Sequence, residues 1–245
     1  MIGIDQILRL PLLPVLAAQG LAVRRKAQLL PEPAGSRAGT AGSGPQLRLL
    51  IAGDSSAAGV GATTQAEALS GRLVARLALE YTLDWRLEAT TGHTTRDTLD
   101  RLVRLTGPFD IAVTALGVND TTRGSSARGF ARRQAALLDH LTGPLGAQVV
   151  IVTAVPDMAL FPALPQPLAW ILGAQARRLD RALQQVAAHH PQAVYHHPVI
   201  PPDPAMAARD GYHPSPLAYD RWAEGLAGLI RDQAARRICR SIGTE

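Results

Sequence analysis

With 245 residues, 47% of them hydrophobic and 18% charged, the chain has the apolar content for a sizeable core and is not disordered throughout. Its net charge of +5 comes mainly from arginines scattered among acidic residues, and aromatics at 4% give no stacking platform for bases, so no nucleic acid is expected as a partner. One cysteine, Cys239, excludes an internal disulfide and gives no sign of an oxidising compartment.

Residues 7–23 are apolar but are broken by Arg9, Pro11, Pro14 and Gln19, and Asp5 rather than a basic residue precedes them. That is a poor secretory signal, and the clean stretch is short for a membrane span. Arg24, Arg25 and Lys26 follow, which leaves two readings: a helix and arm packed on the domain, or a peripheral membrane contact through residues 1–26. Without a mark of export the cytoplasm is the default location, with membrane association as the alternative. Residues 31–45, rich in Pro, Gly, Ser and Ala, predict a flexible linker, so that residues 1–45 stand apart from a domain over 46–245.

From there the pattern alternates. Apolar runs predict strands over 47–52, 83–89, 109–115, 147–154 and 193–196. Helical spacing, as in Leu69, Leu73 and Leu77, predicts helices over 66–80, 95–105, 127–141, 167–189 and 215–236. Five strands alternating with helices predict parallel βαβ units in a three-layer α/β/α sandwich. In such sheets functional groups gather beyond the C-terminal ends of the strands.

Four polar segments fall at that edge. Gly53-Asp54-Ser55 follows the first strand, Gly92-His93 the second and Gly117-Val118-Asn119-Asp120 the third, while Asp210 and His213 sit in the last loop before the final helix. Each residue type has a chemical use. A serine hydroxyl needs a base within hydrogen-bond reach, and a carboxylate fixes the tautomer of that base. Ser55, His213 and Asp210 supply these parts. The oxyanion that forms when a carbonyl is attacked needs preorganised donors, for which the Ser55 amide, the Gly92 amide and the Asn119 side chain are candidates. Ser56 is the rival nucleophile, Asp120 is expected to orient its loop, and His93 is either a surface residue or a substrate contact.

The proline-broken segment Val155–Pro165 lies on the same edge. It either packs on its own domain or lines an acyl pocket, with Met158, Leu160 and Phe161 as the wall. His189-His190 and His196-His197 lack metal-ligand spacing and a carboxylate set, so no metal is expected. Gly59 and Gly61 are not followed by the Gly-Lys-Ser/Thr of a phosphate loop.

Taken together, Gly53-Asp54-Ser55, Gly92, Gly117-Val118-Asn119-Asp120 and Asp210-Gly211-Tyr212-His213 resemble the blocks of the SGNH, or GDSL, hydrolase family. The resemblance covers about residues 46–230, and Ser56 stands where the GDSL name has leucine. It implies a flavodoxin-like five-stranded parallel sheet of order 2-1-3-4-5, and ester or thioester hydrolysis without metal or organic cofactor. It also implies Ser55 rather than Ser56 as nucleophile. The few aromatics and the plain apolar loop favour short- to medium-chain acyl esters as small-molecule substrates. The alternatives are thioesterase, lysophospholipase or acyltransferase chemistry on the same site, or a non-catalytic membrane-associated binding module.

Overall fold

The computed structural model describes residues 3–26 and 29–242, with side chains at all of these except 26 and 236–242; the Cys239 side chain therefore lies outside the described residues. The strands are β1 (Ala38–Ala41), β2 (Gln46–Gly53), β3 (Thr82–Ala89), β4 (Ile111–Ala115), β5 (Val149–Thr153) and β6 (Ala193–His196). The helices in chain order are α1 (Ile4–Leu8), α2 (Leu13–Lys26), α3 (Ser55–Ala58), α4 (Leu69–Leu77), α5 (Thr95–Leu102), α6 (Val118–Thr122), α7 (Ala127–Thr142), α8 (Leu168–His189) and α9 (Pro216–Ile242).

One sheet runs β1-β3-β2-β4-β5-β6, with β2 to β6 parallel and β1 antiparallel on the β3 edge. The five parallel strands are those expected, in the 2-1-3-4-5 order. The linker expectation for 31–45 needs correction, because residues 38–41 form a sixth strand paired to Leu83–Arg86. Its sequence, Ala-Gly-Thr-Ala, has no apolar alternation and is mostly exposed, so the backbone ladder is its main tie, with Ala41 alone packed against the core.

The central strand β2 explains the layering. Leu49, Leu50, Ile51 and Ala52 are all fully buried, as a parallel strand covered on both faces requires. Because successive side chains alternate, Leu49 and Ile51 join a core with Leu69, Leu73 and Leu77 of α4 and Trp222, Leu226 and Ile230 of α9. Leu50 and Ala52 point the other way, into a second core with Leu102 of α5, Phe130 and Leu137 of α7 and Leu179 of α8. These are the three layers.

The N-terminal helices dock on α8. Arg178 forks onto both Asp5 oxygens at 2.9 and 2.7 Å. Gln19 donates to Gln166 O at 2.6 Å and accepts from Leu168 N at 3.1 Å. Among the described residues no helix is long and apolar enough to cross a membrane.

Candidate active site

The turn after β2 is built by close packing. A Cβ on Gly53 would stand 2.2 Å from Ala115 O and 2.7 Å from Ala57 Cβ, so only glycine lets β2 run against β4 and into α3. Asp54 then caps α3. Its carboxylate accepts from Ser56 N at 3.0 Å and Ser56 Oγ at 2.8 Å. Ser56 is thereby committed to the cap, while Ser55 opens the helix with its side chain toward the last loop. Asp54 is buried, and burial pushes its carboxyl up to about 6 against the opposing bonds from Ser56.

His213 Nε2 lies 3.0 Å from Ser55 Oγ, and His213 Nδ1 lies 2.6 Å from Asp210 Oδ2. Asp210 also accepts from the amides of Tyr212 at 3.0 Å and His213 at 3.1 Å through its other oxygen. Burial pushes the Asp210 carboxyl up, but the His213 ring and those two amides outweigh it and hold it below the ordinary value of 3.8. If the serine hydroxyl donates to Nε2, the ring proton sits on Nδ1 and is donated to Asp210.

The last loop is clamped to the serine turn. A Cβ on Gly61, whose φ is +106°, would meet Pro214 O at 2.2 Å, so the two segments touch backbone to backbone. The buried Tyr219 hydroxyl of α9 donates to Val60 O at 2.7 Å. Tyr212 packs edge-on against Phe161, with centroids 5.1 Å apart, and against the His213 ring at 5.4 Å.

The expected oxyanion donors are distributed as follows. Among the described residues the Ser55 and Gly92 amides donate to no protein acceptor. Gly92 has φ +84° and open space where a Cβ would lie, so its conformation, not crowding, calls for glycine. Asn119 Nδ2 donates to His93 O at 3.0 Å and, at a longer 3.4 Å, to Asp54 Oδ2. Asp120 is fully buried and accepts from Thr95 N and Oγ1, both at 2.9 Å, and from Arg133, which ties α6 to α5 and α7.

A cavity of ≈ 620 Å³ opens beside Ser55 and His213. Its walls are the loop after β5, with Pro156, Leu160, Phe161 and Pro162, and the proline-rich stretch after β6, with Pro198, Ile200 and Pro201. Leu160 and Phe161 line this cavity. Met158 does not: it is fully buried in the second core. The reason is a 3₁₀ turn over Met158–Leu160, capped by Asp157, which turns Met158 inward and Leu160 outward. Gly173 of α8 permits this, since a Cβ there would lie 2.5 Å from Ala159 Cβ.

The GDSL-like Lipase/Acylhydrolase family pattern matches residues 51–221, a span that takes in both Ser55 and His213. The chain belongs to that family. It is 32% identical over 204 residues to the GDSL-like esterase Rv1075c of Mycobacterium tuberculosis, an alignment spanning 78% of this chain and 64% of that protein. Among solved structures, the lipase/acylhydrolase from Enterococcus faecalis has a TM-score of 0.59 at 20% identity, covering 76% of this chain and 96% of its own. The inhibitor-bound aryl esterase of M. smegmatis has a TM-score of 0.59 at 19% identity, covering 76% and 99%. These structures share the GDSL-type fold with this chain.

Three contributors were not legible as such in the sequence. Asp54 joins the α3 cap to Asn119. Arg123 fixes the 90–93 turn, donating to Gly92 O at 2.9 Å and pairing with Asp97. Tyr212 seats the His213 ring, and its place between Asp210 and His213 was the available signal. His189 and His190 lie away from the site, at the end of α8, with His189 Nδ1 2.7 Å from Gln185 O. His197 lines the cavity. Among the described residues no three His, Cys, Asp or Glu side chains come together as a metal site.

Proposed function

We propose that this GDSL-family protein is a serine carboxylic ester hydrolase that works through an acyl-enzyme on Ser55. The observation that carries the proposal is the line of hydrogen bonds from Ser55 Oγ through His213 to Asp210, at 3.0 and 2.6 Å. His213 Nε2 takes the hydroxyl proton as Oγ bonds to the ester carbonyl carbon. The carbonyl electron pair moves onto oxygen, where the Ser55 and Gly92 amides receive it, joined by the Asn119 amide group as it gives up its long 3.4 Å bond to Asp54. Asp210 stabilises the imidazolium so formed. Collapse breaks the bond to the alkoxy group, which leaves with the proton from His213. Water, deprotonated by the same imidazole, then releases the acid and restores the serine.

The apolar walls beside Ser55 and His213 favour an unsubstituted acyl chain of short to medium length in the ≈ 620 Å³ cavity. The test is hydrolysis of p-nitrophenyl esters from acetate to palmitate by wild type and Ser55→Ala. Activity that vanishes in the variant supports the proposal and gives the chain-length range. Activity that survives removes Ser55 as nucleophile. Thioester substrates and added alcohols in the same assay separate hydrolysis of esters from thioesterase and acyl-transfer chemistry.

A further inference from the structure

A surface helix buries its apolar stripe and turns polar residues to water. The N-terminal helices turn much of their apolar surface outward instead. On α2 the buried or half-buried positions are Leu16, Gln19, Gly20 and Val23, while every exposed residue from Leu13 to Ala22 is apolar. Gln19, the one polar side chain in that stretch, is spent on Gln166 and Leu168. In α1, Asp5 is likewise turned inward onto Arg178. What faces out is Ile4, Ile7, Leu10, Leu13, Val15 and Leu21, with Leu10 78% exposed and Ile4 67%. Asp5 and Gln19 bond to the body, Leu16 and Val23 pack on it, and the exposed apolar side chains are left without a partner among the described residues.

The charge beside this face is of one sign. No Asp or Glu occurs between Asp5 and Glu32, whereas Arg9 lies between the two helices and Arg24, Arg25 and Lys26 close α2. Arg24 and Arg25 are exposed. An apolar helical face flanked by cations matches the boundary of an anionic bilayer, with side chains among the acyl chains and guanidinium groups among the phosphates. A second copy of the chain would bring the same cations together instead.

From this exposed apolar face and its cationic flank we infer that residues 4–25 form a peripheral membrane-docking surface for anionic phospholipid. Gln19 ties that surface to Gln166 and Leu168, the end of the loop whose Leu160 and Phe161 wall the cavity. Leu160 is itself 73% exposed. Docking therefore brings the loop beside the cavity to the lipid surface.

The test is co-sedimentation of the full chain with phosphatidylcholine vesicles, without and with about a third phosphatidylglycerol. Gel filtration without lipid and circular dichroism run alongside. Wild type should pellet with the anionic vesicles and bind neutral ones less. Leu10→Glu/Leu21→Glu and, separately, Arg24→Glu/Arg25→Glu should each weaken binding about tenfold or more, with an unchanged circular dichroism spectrum. The second variant alters exposed charges only, so it keeps the test decisive if the first folds poorly. The inference fails if wild type stays in the supernatant at every lipid concentration. It fails also if the arginine variant binds as well as wild type. A wild-type dimer that the leucine variant splits, with no vesicle binding, would assign the face to self-association instead.

Discussion

Replacing Asp210 by asparagine tests the proposed triad with little disturbance of the fold. Asp210 uses one oxygen for the Tyr212 and His213 amides and the other for His213 Nδ1. Asparagine keeps the first pair of bonds through its carbonyl oxygen. Its NH₂ then faces Nδ1, which must lose its proton to accept, so the ring proton moves to Nε2 and points at Ser55. The base is gone while the loop stands. A wrong tautomer of this kind costs about 10⁴ in turnover, or about 5.5 kcal/mol at the transition state. The large size is reasonable here because the Asp210 side chain is only 4% exposed and the 2.6 Å bond is charge-assisted. In wild type the depressed Asp210 carboxyl adds stability above its unfolded value near 3.8, and that stability is lost as pH falls through the still lower folded value. The assay is the initial rate on p-nitrophenyl butyrate with thermal unfolding in parallel. Turnover within tenfold of wild type, at an unchanged melting temperature, would refute Asp210 as the orienting group.

Asn119→Ala should lower turnover by about 10²–10³ with little change in KM, and a loss below tenfold would remove Asn119 from the oxyanion hole. Phe161→Ala should shift the acyl-length profile while turnover of acetyl ester stays within about threefold, since the ring walls the cavity and packs on Tyr212 rather than touching Ser55. An unchanged profile would take Phe161 out of the acyl pocket. Asp54→Asn addresses burial: with its folded carboxyl at about 6, wild type should lose about 2 kcal/mol of unfolding free energy relative to this variant as pH rises from about 4 to 7. A difference that does not vary with pH in urea unfolding would contradict an ionisable, desolvated Asp54.

Legibility in the sequence followed physical cause. β2 and β5 were readable because a parallel strand covered on both faces must be apolar throughout, and Leu49–Ala52 and Val149–Val152 are. The candidate site was readable because strand ends converge on one sheet edge, so Ser55, Gly92 and Asn119 mark that edge without knowledge of any contact. β1 was not readable: Ala38–Ala41 is held by ladder bonds to β3, which leave no side-chain pattern. Met158 was misplaced because one 3₁₀ turn decides which of Met158 and Leu160 faces inward, and that turn depends on Gly173 from a helix more than ten residues later.

The same distinction separates two kinds of buried carboxylate. Asp210 and Asp120 are each met by several donors, and their burial is compensated locally. Asp54 receives its short bonds from Ser56 alone, with Asn119 at 3.4 Å, and its carboxyl rises accordingly. A cap that served only the helix would do as well with serine or threonine. A carboxylate is called for by what lies on its other side, the amide of Asn119, which Asp54 holds one hydrogen bond from the turn that carries Ser55. Burial of Asp54 thus places the turn that carries Ser55, the proposed nucleophile, against Asn119, the proposed oxyanion donor, alongside the bond from Asp54 N to Ala115 O of β4.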